Sequence, residues 1–228
     1  MHILAVDTAT EVCGVALARE DGHVQAELRL NQGKTHTAAL MAAIEAVLGL
    51  ARLTLDEVDA FAVTQGPGSF TGLRIGISTV KGLAMATGKP LVGVSTLAAL
   101  AHQASEGTPW VCPMIDARRR QVYWSVYQRR GAVLVPVQPE QVGPALNAAD
   151  QVSGPCLFIG NGVPLYGTTL RERLPQWFQA AGGGLDAISP GAVARLAGQR
   201  LGQGVVQDVH RFEPVYLRPS DAEQGSGC

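Results

Sequence analysis

The sequence predicts an α/β protein whose mixed sheets carry helices on their faces, arranged as two domains. Three observations carry that reading. The first half reads β-β-β-α-β-α-β-α, hairpins followed by β-α crossovers, which is the pattern of a sheet that is antiparallel on one side and parallel on the other. The second half opens with three more strand-like runs, so the halves share a layout and point to a duplicated fold. A length of 228 residues suits two domains of about 110.

Ile3–Thr8 is a short apolar run, Gly14–Ala18 a second and Val24–Leu30 an alternating third, with Glu20-Asp21-Gly22 as the hairpin turn between the last two. Thr35–Gly49 reads as a helix and Val58–Thr64 as a buried strand. Past a glycine-rich turn come the helix Phe70–Ala86, the strand Pro90–Val94 and a helix over Ser95–Ser105 capped by Ser95. Ser-Glu-Gly-Thr-Pro then breaks the pattern, and the boundary is placed at Ala104–Pro109, giving domains 1–105 and 106–228. Trp110–Ile115, Gln121–Tyr127 and Ala132–Val137 are the next strands, with Ala117–Arg120 as a turn. Leu157–Gly160 is a fourth strand and Leu165–Leu174 a helix; after the loop Gly182–Gly184, Ser189-Pro190 starts the last helix, and Glu223–Cys228 reads as a frayed tail.

Composition excludes several classes. Charged residues are 16 % of the chain, against about 25 % in an average soluble domain, and the formal net charge is −1. A hydrophobic share of 46 % argues against disorder, and the charge balance against a strongly basic nucleic-acid module. Cys13, Cys112, Cys156 and Cys228 are far apart, without C-x-x-C, and the five histidines lack ligand spacing, so neither a disulfide framework nor a metal site is expected. Met1–Asp7 reads as a first strand and not a signal peptide, and Thr37–Ala51 is too short and interrupted to span a bilayer; a soluble cytoplasmic protein is expected.

Three segments could carry function. Asp7-Thr8-Ala9-Thr10 ends the first strand and could hold a metal–phosphate group, or simply cap a turn. Gly66-Pro67-Gly68-Ser69-Phe70-Thr71-Gly72 is neither a Walker A loop nor a dinucleotide fingerprint; it could approach an anion or only shape the chain. The helices Thr35–Leu50 and Gly72–Ala86 contain three charges, Glu45, Arg74 and Lys81, and are apolar on both faces, which fits either core or a protein partner. Arg118-Arg119-Arg120 and Arg129-Arg130 are cationic clusters that could touch phosphate or form solvated turns.

Ile3–Thr10, Gln65–Gly76 (QGPGSFTGLRIG) and Asp116-Ala117-Arg118-Arg119 with Val122-Tyr123 resemble the TsaB (YeaZ) family, formerly labelled glycoprotease-like, over nearly the whole chain. The resemblance implies two ribonuclease-H-like domains of the actin, sugar-kinase and heat-shock-chaperone superfamily. It also implies an accessory subunit, without catalysis of its own, for the transfer of threonylcarbamoyl from its adenylate to N6 of the adenosine 3′ of the tRNA anticodon. Implied partners are TsaD, TsaE and a second copy of the chain, with tRNA reached indirectly through TsaD and no membrane contact. The superfamily's phosphate motifs are degenerate here: Ala9 stands where a glycine is usual, and the hairpin at Asp116–Arg120 has no glycine. By the same resemblance the turn Gly160-Asn161-Gly162-Val163 keeps part of the adenosine motif, while the metal histidines of TsaD fall on Thr96 and Leu100. Any nucleotide or phosphate contact would therefore involve Asp7, Thr8, Thr10, Gly160 and Gly162, with no cofactor required by the chain alone and ATP or ADP entering only in the complex. By position, the partner interface would centre on Leu40, Ile44, Leu73, Gly76, Ile77 and Val80, and Gly76→Arg would be expected to break it without unfolding the chain. The competing reading is a small kinase-like or nucleotide-hydrolysing enzyme of the same superfamily; a peptidase lacks its residue pairs, and an independent tRNA-binding module lacks net positive charge.

Overall fold

A computed structural model describes residues 1–31, 36–105, 107–131 and 133–218. The expected helix start at Thr35, the strand start at Ala132 and the tail Glu223–Cys228 lie outside the described residues. The chain forms two compact units. The first gathers Met1–Ala99 and Ile188–Pro214, the second Leu100–Ala187 and the described residues after Pro214. The expected division at residue 105 is thus corrected: residues 188–214 return to the first unit, because their apolar positions pack on its sheet.

In the first unit β1 (His2–Asp7), β2 (Val12–Arg19), β3 (Val24–Asn31), β4 (Ala60–Gly66) and β5 (Leu91–Ser95) form one sheet in the order β3-β2-β1-β4-β5. β1 pairs antiparallel with β2 (Ile3 opposite Ala18, Asp7 opposite Gly14) and parallel with β4 (Ile3 opposite Ala60). The central strands are buried on both faces, which is why they read as continuous apolar runs. Their alternation sorts size. Leu4, Val6, Val15, Leu17, Phe61 and Val63 join the core under α1 (His36–Ala51) and α2 (Phe70–Thr87). The intervening Gly14, Ala16, Ala5 and Ala62 are small, and α6 (Pro190–Gly202) packs on β1 and β2, with Pro190 against Gly14 and Gly198 near Ile3. α2 is capped by Ser69, whose hydroxyl accepts from Gly72 N–H at 3.2 Å, and stops at Gly88 with φ 67°. A single 3₁₀ turn, Leu55–Glu57, precedes β4.

α3 is shorter than expected, Thr96–Ala101, although Ser95 does cap it through Ala98 N–H. The second unit holds β6 (Trp110–Asp116), β7 (Val122–Trp124), β8 (Tyr127–Arg130), β9 (Val133–Pro136), β10 (Gln141–Gly143), α4 (Ala145–Ala149), β11 (Cys156–Ile159), α5 (Val163–Arg173) and β12 (Phe178–Ala180). The main path of its sheet runs β10-β7-β6-β11-β12, with β8 pairing β6 and β9. The single strand expected over Gln121–Tyr127 breaks at Ser125-Val126, so that β7 faces the end of β6 and β8 faces its start. β10, α4 and β12 are too short, at three to five residues, to leave a period in the sequence. Both sheets place antiparallel strands on one side of their first strand and two parallel strands on the other.

Candidate functional site

Asp7–Thr10 begins at the last residue of β1 and the glycine-rich loop at the last residue of β4; these strands are parallel neighbours, so both segments reach the same edge of the first sheet. Ligand crevices in open α/β sheets lie beyond such carboxyl ends. The residues do meet there, but they bond to one another. Asp7 is fully buried, and its Oδ1 accepts from the Thr64 hydroxyl at 2.7 Å and from Ala9 N–H at 3.1 Å. The Thr8 hydroxyl donates to the Gly72 carbonyl at 2.7 Å, Ser69 N–H to the Ala9 carbonyl at 2.7 Å, and Val12 N–H to the Thr10 hydroxyl at 3.4 Å.

Glycine is what permits this closeness. A Cβ on Gly72 would overlap the Thr8 carbonyl oxygen, one on Gly68 the Ala9 carbonyl oxygen and one on Gly76 the Thr8 hydroxyl. The loop therefore seals the Asp7–Thr10 turn. Asp7 Oδ2 is left buried without a hydrogen-bond partner, and burial pushes the carboxyl up to about 6 despite the two bonds that lower it. Burial, and then the Asp7 charge, push the Cys13 thiol up to about 11.

In the second unit Gly160 sits at φ 110°, where a Cβ would overlap the Met114 carbonyl oxygen. Gly162 N–H donates to that carbonyl at 3.1 Å, and Asn161 Oδ1 accepts from Asp116 N–H at 2.9 Å. This turn ties β11 to β6. Asp7, Thr8, Thr10, Gly160 and Gly162 are all buried, and the hydrogen bonds described for them run to residues of their own unit. A phosphate contact needs donors that face outward.

The expected interface centre is corrected as well. Leu40, Ile44, Leu73, Gly76, Ile77 and Val80 are buried in the first unit, and Leu40, Ile44, Ile77 and Val80 belong to the core under α1 and α2. They form the stripes that face the sheet, so Gly76→Arg would disrupt the fold instead of testing a surface. The opposite stripe of α1 is Ala38, Met41, Ala42, Glu45, Ala46, Gly49 and Leu50, mostly exposed and with one charge. Leu50 is 70 % exposed and Met41 43 %; on α2, Met85 is 54 % exposed. Of the other two charges in these helices, Arg74 stacks 3.9 Å over the Phe70 ring, and Lys81 Nζ donates to the Phe212 carbonyl at 2.9 Å. A surface helix ordinarily turns a polar face to water. Periodicity missed these residues because both faces of α1 are apolar, and only packing shows which one goes in.

Comparison with known proteins bears on what such a face is for. Residues 23–155 match the family model described as TsaD: tRNA N6-adenosine threonylcarbamoyltransferase. The tRNA threonylcarbamoyladenosine biosynthesis protein TsaB of Escherichia coli (strain K12) is 35 % identical, over 96 % of this chain and 95 % of that protein. Its namesake in Bacillus subtilis (strain 168) is 32 % identical over 98 % and 96 %. The chain belongs to the TsaB (YeaZ) family. The solved structure of YeaZ from Pseudomonas aeruginosa agrees, with 33 % identity, a TM-score of 0.80 and coverage of 95 % and 99 %. Thr96 is fully buried with no partner for its hydroxyl, and Leu100 is fully buried. Among the described residues no group of three or more His, Cys, Asp or Glu side chains could hold a metal ion, and no helix is long and apolar enough to cross a membrane.

Proposed function

We propose that this chain is a non-catalytic scaffold of tRNA threonylcarbamoyladenosine synthesis. It pairs with a TsaD homologue, which transfers threonylcarbamoyl from its adenylate to N6 of the adenosine 3′ of the anticodon, and the pair admits a TsaE homologue. The observation that carries the reading is the exposed apolar stripe of α1, next to α2, on a chain whose relatives are named for this biosynthesis. The interface is reassigned to Met41, Ala42, Ala46, Leu50 and Met85, and the same stripe joins two copies of the chain when the partner is absent. Two features support a role without own catalysis: the sealed Asp7–Thr10 turn and the internal use of the Gly160–Gly162 turn. ATP or ADP then belongs to the assembled complex, and the chain works in the cytoplasm with its tRNA. The similar strand order of the two sheets supports reading both units as copies of one ribonuclease-H-like plan.

Reconstitution tests this. Partner TsaD, TsaE, the adenylate-forming enzyme and tRNA are combined with and without the chain, and modified adenosine is measured. Modification is expected only with the chain present; full modification without it would refute the scaffold role.

A further inference from the structure

The hairpin 116–121 that joins β6 to β7 has an unusual backbone. Arg118, Arg119 and Arg120 all lie at positive φ, at 61°, 52° and 59°. The left-handed region crowds the Cβ of an L-residue, and glycine, asparagine or aspartate ordinarily fill it. Here three exposed arginines in succession do. Such outliers gather where a site needs them, which makes the hairpin worth a functional question.

The tip is held from several sides. Asp116 Oδ1 accepts from Arg118 N–H at 2.9 Å, and Oδ2 lies 3.2 Å from the Arg118 guanidinium. Ala117 N–H donates to the Gln121 carbonyl at 2.9 Å, and Gln121 N–H to the Arg118 carbonyl at 3.0 Å. Gln121 Oε1 accepts from Arg218 Nη1 at 3.2 Å, which brings a fourth guanidinium to the tip. The hairpin contains one carboxylate, Asp116, and it is 13 % exposed and turned onto Arg118.

The other arginine pair lies elsewhere: Arg129 donates to the Thr108 and Ser105 carbonyls, both at 3.0 Å, and sits at the opposite end of β6, where Gln128 faces Trp110.

Guanidinium forks match phosphate oxygens. A left-handed turn rotates successive side chains by roughly 100°, as its right-handed mirror does, so the three arginines fan out instead of converging on one small anion. A fan of exposed cations suits phosphates spaced along a polymer. The net charge of −1 confines such contact to a local patch. We propose that the 116–121 hairpin contacts the phosphodiester backbone of a folded RNA, an inference that rests on reading the chain as part of a tRNA-modifying assembly.

The test titrates the full-length chain with an unmodified tRNA transcript over a salt series. The variants are Arg119→Gln/Arg120→Gln and the charge-keeping Arg119→Lys/Arg120→Lys; Arg118 stays, because it pairs with Asp116. The Gln pair is expected to weaken binding at least about fivefold and to lower the slope of log K against log salt by about 1.4, two contacts at about 0.7 each, while the Lys pair keeps the slope. Equal affinity and slope in wild type and Gln pair would overturn the proposal. So would the absence of saturation by wild type at about 100 µM tRNA in low salt. Polyglutamate of matched charge competing as well as tRNA would also overturn it, in favour of an acidic protein partner. Modification assayed in parallel separates the two readings. If it needs the chain while the slopes coincide, the hairpin contact falls and the scaffold stands. If it proceeds without the chain, the scaffold falls and the slope still decides the hairpin.

Discussion

Asp7 couples the stability of the first unit to pH. Its carboxyl rises from 3.8 to about 6 in the fold, mainly through burial, so the native state keeps the proton that the unfolded chain releases first. The contribution is fully present below about 3.8 and is lost as pH rises through about 6, a difference of about 3 kcal/mol. Asp7→Asn is expected to remove that fall, measured as urea unfolding of both proteins from pH 4 to 7. The difference between the curves isolates Asp7, because Asp21 and Glu57 are lowered chiefly by backbone hydrogen bonds and act in the opposite sense. Two glycines of α2 make a second contrast. Gly72 abuts the Thr8 carbonyl, whereas a Cβ on Gly82 would meet nothing within 4 Å. Gly72→Ala should cost about 1–3 kcal/mol or more by overpacking, and Gly82→Ala should gain about 0.5–1 kcal/mol through helix propensity. Thermal unfolding of the two variants distinguishes them; equal midpoints would contradict the seal.

Among the elements, α1 decides the partner surface. Ala46 lies on its exposed stripe, and arginine is a good helix former. Ala46→Arg is expected to abolish copurification with a TsaD homologue and to shift any homodimer to monomer in size-exclusion chromatography, with the unfolding midpoint within a few degrees of wild type. Retained copurification would remove α1 from the interface. Elements with one dominant period were legible in the sequence: β1, β4 and α2 fall within two residues of expectation, and α6 starts at its Ser189 cap as expected. What escaped has physical reasons. The break between β7 and β8 is a change of pairing partner, which leaves the apolar pattern unchanged. The meeting of Gly66–Gly72 with Asp7–Thr10 is a contact between residues about 60 positions apart, and neither segment signals that it covers the other. The motif residues were found, but their burial was not readable from spacing.

At the scale of the whole molecule, the chain visits the first unit twice. α6 covers the small-residue face of the sheet, and the Ser189 hydroxyl and the Gly191 N–H donate to the Glu27 carboxylate at 3.0 and 3.1 Å. Phe212 joins the core, Gln207 bridges to Leu91, and Lys81 and Arg200 hold the returning segment to α2 and β5. A chain ended at Ala187 should therefore lose the cooperative unfolding of the first unit and collect in the insoluble fraction, whereas one ended after Pro214 should retain that transition. Calorimetry of the two truncations checks this, and a folded chain ending at Ala187 would contradict it.

The return of residues 188–214 also sets an order of events on the ribosome. Five strands of the first sheet emerge early, yet α6 follows only after roughly 90 further residues, about 5–20 s at ordinary elongation rates. For that interval the Ala5, Ala16 and Ala62 side of the sheet stands open, and the nascent chain has a timed window in which a chaperone can hold it.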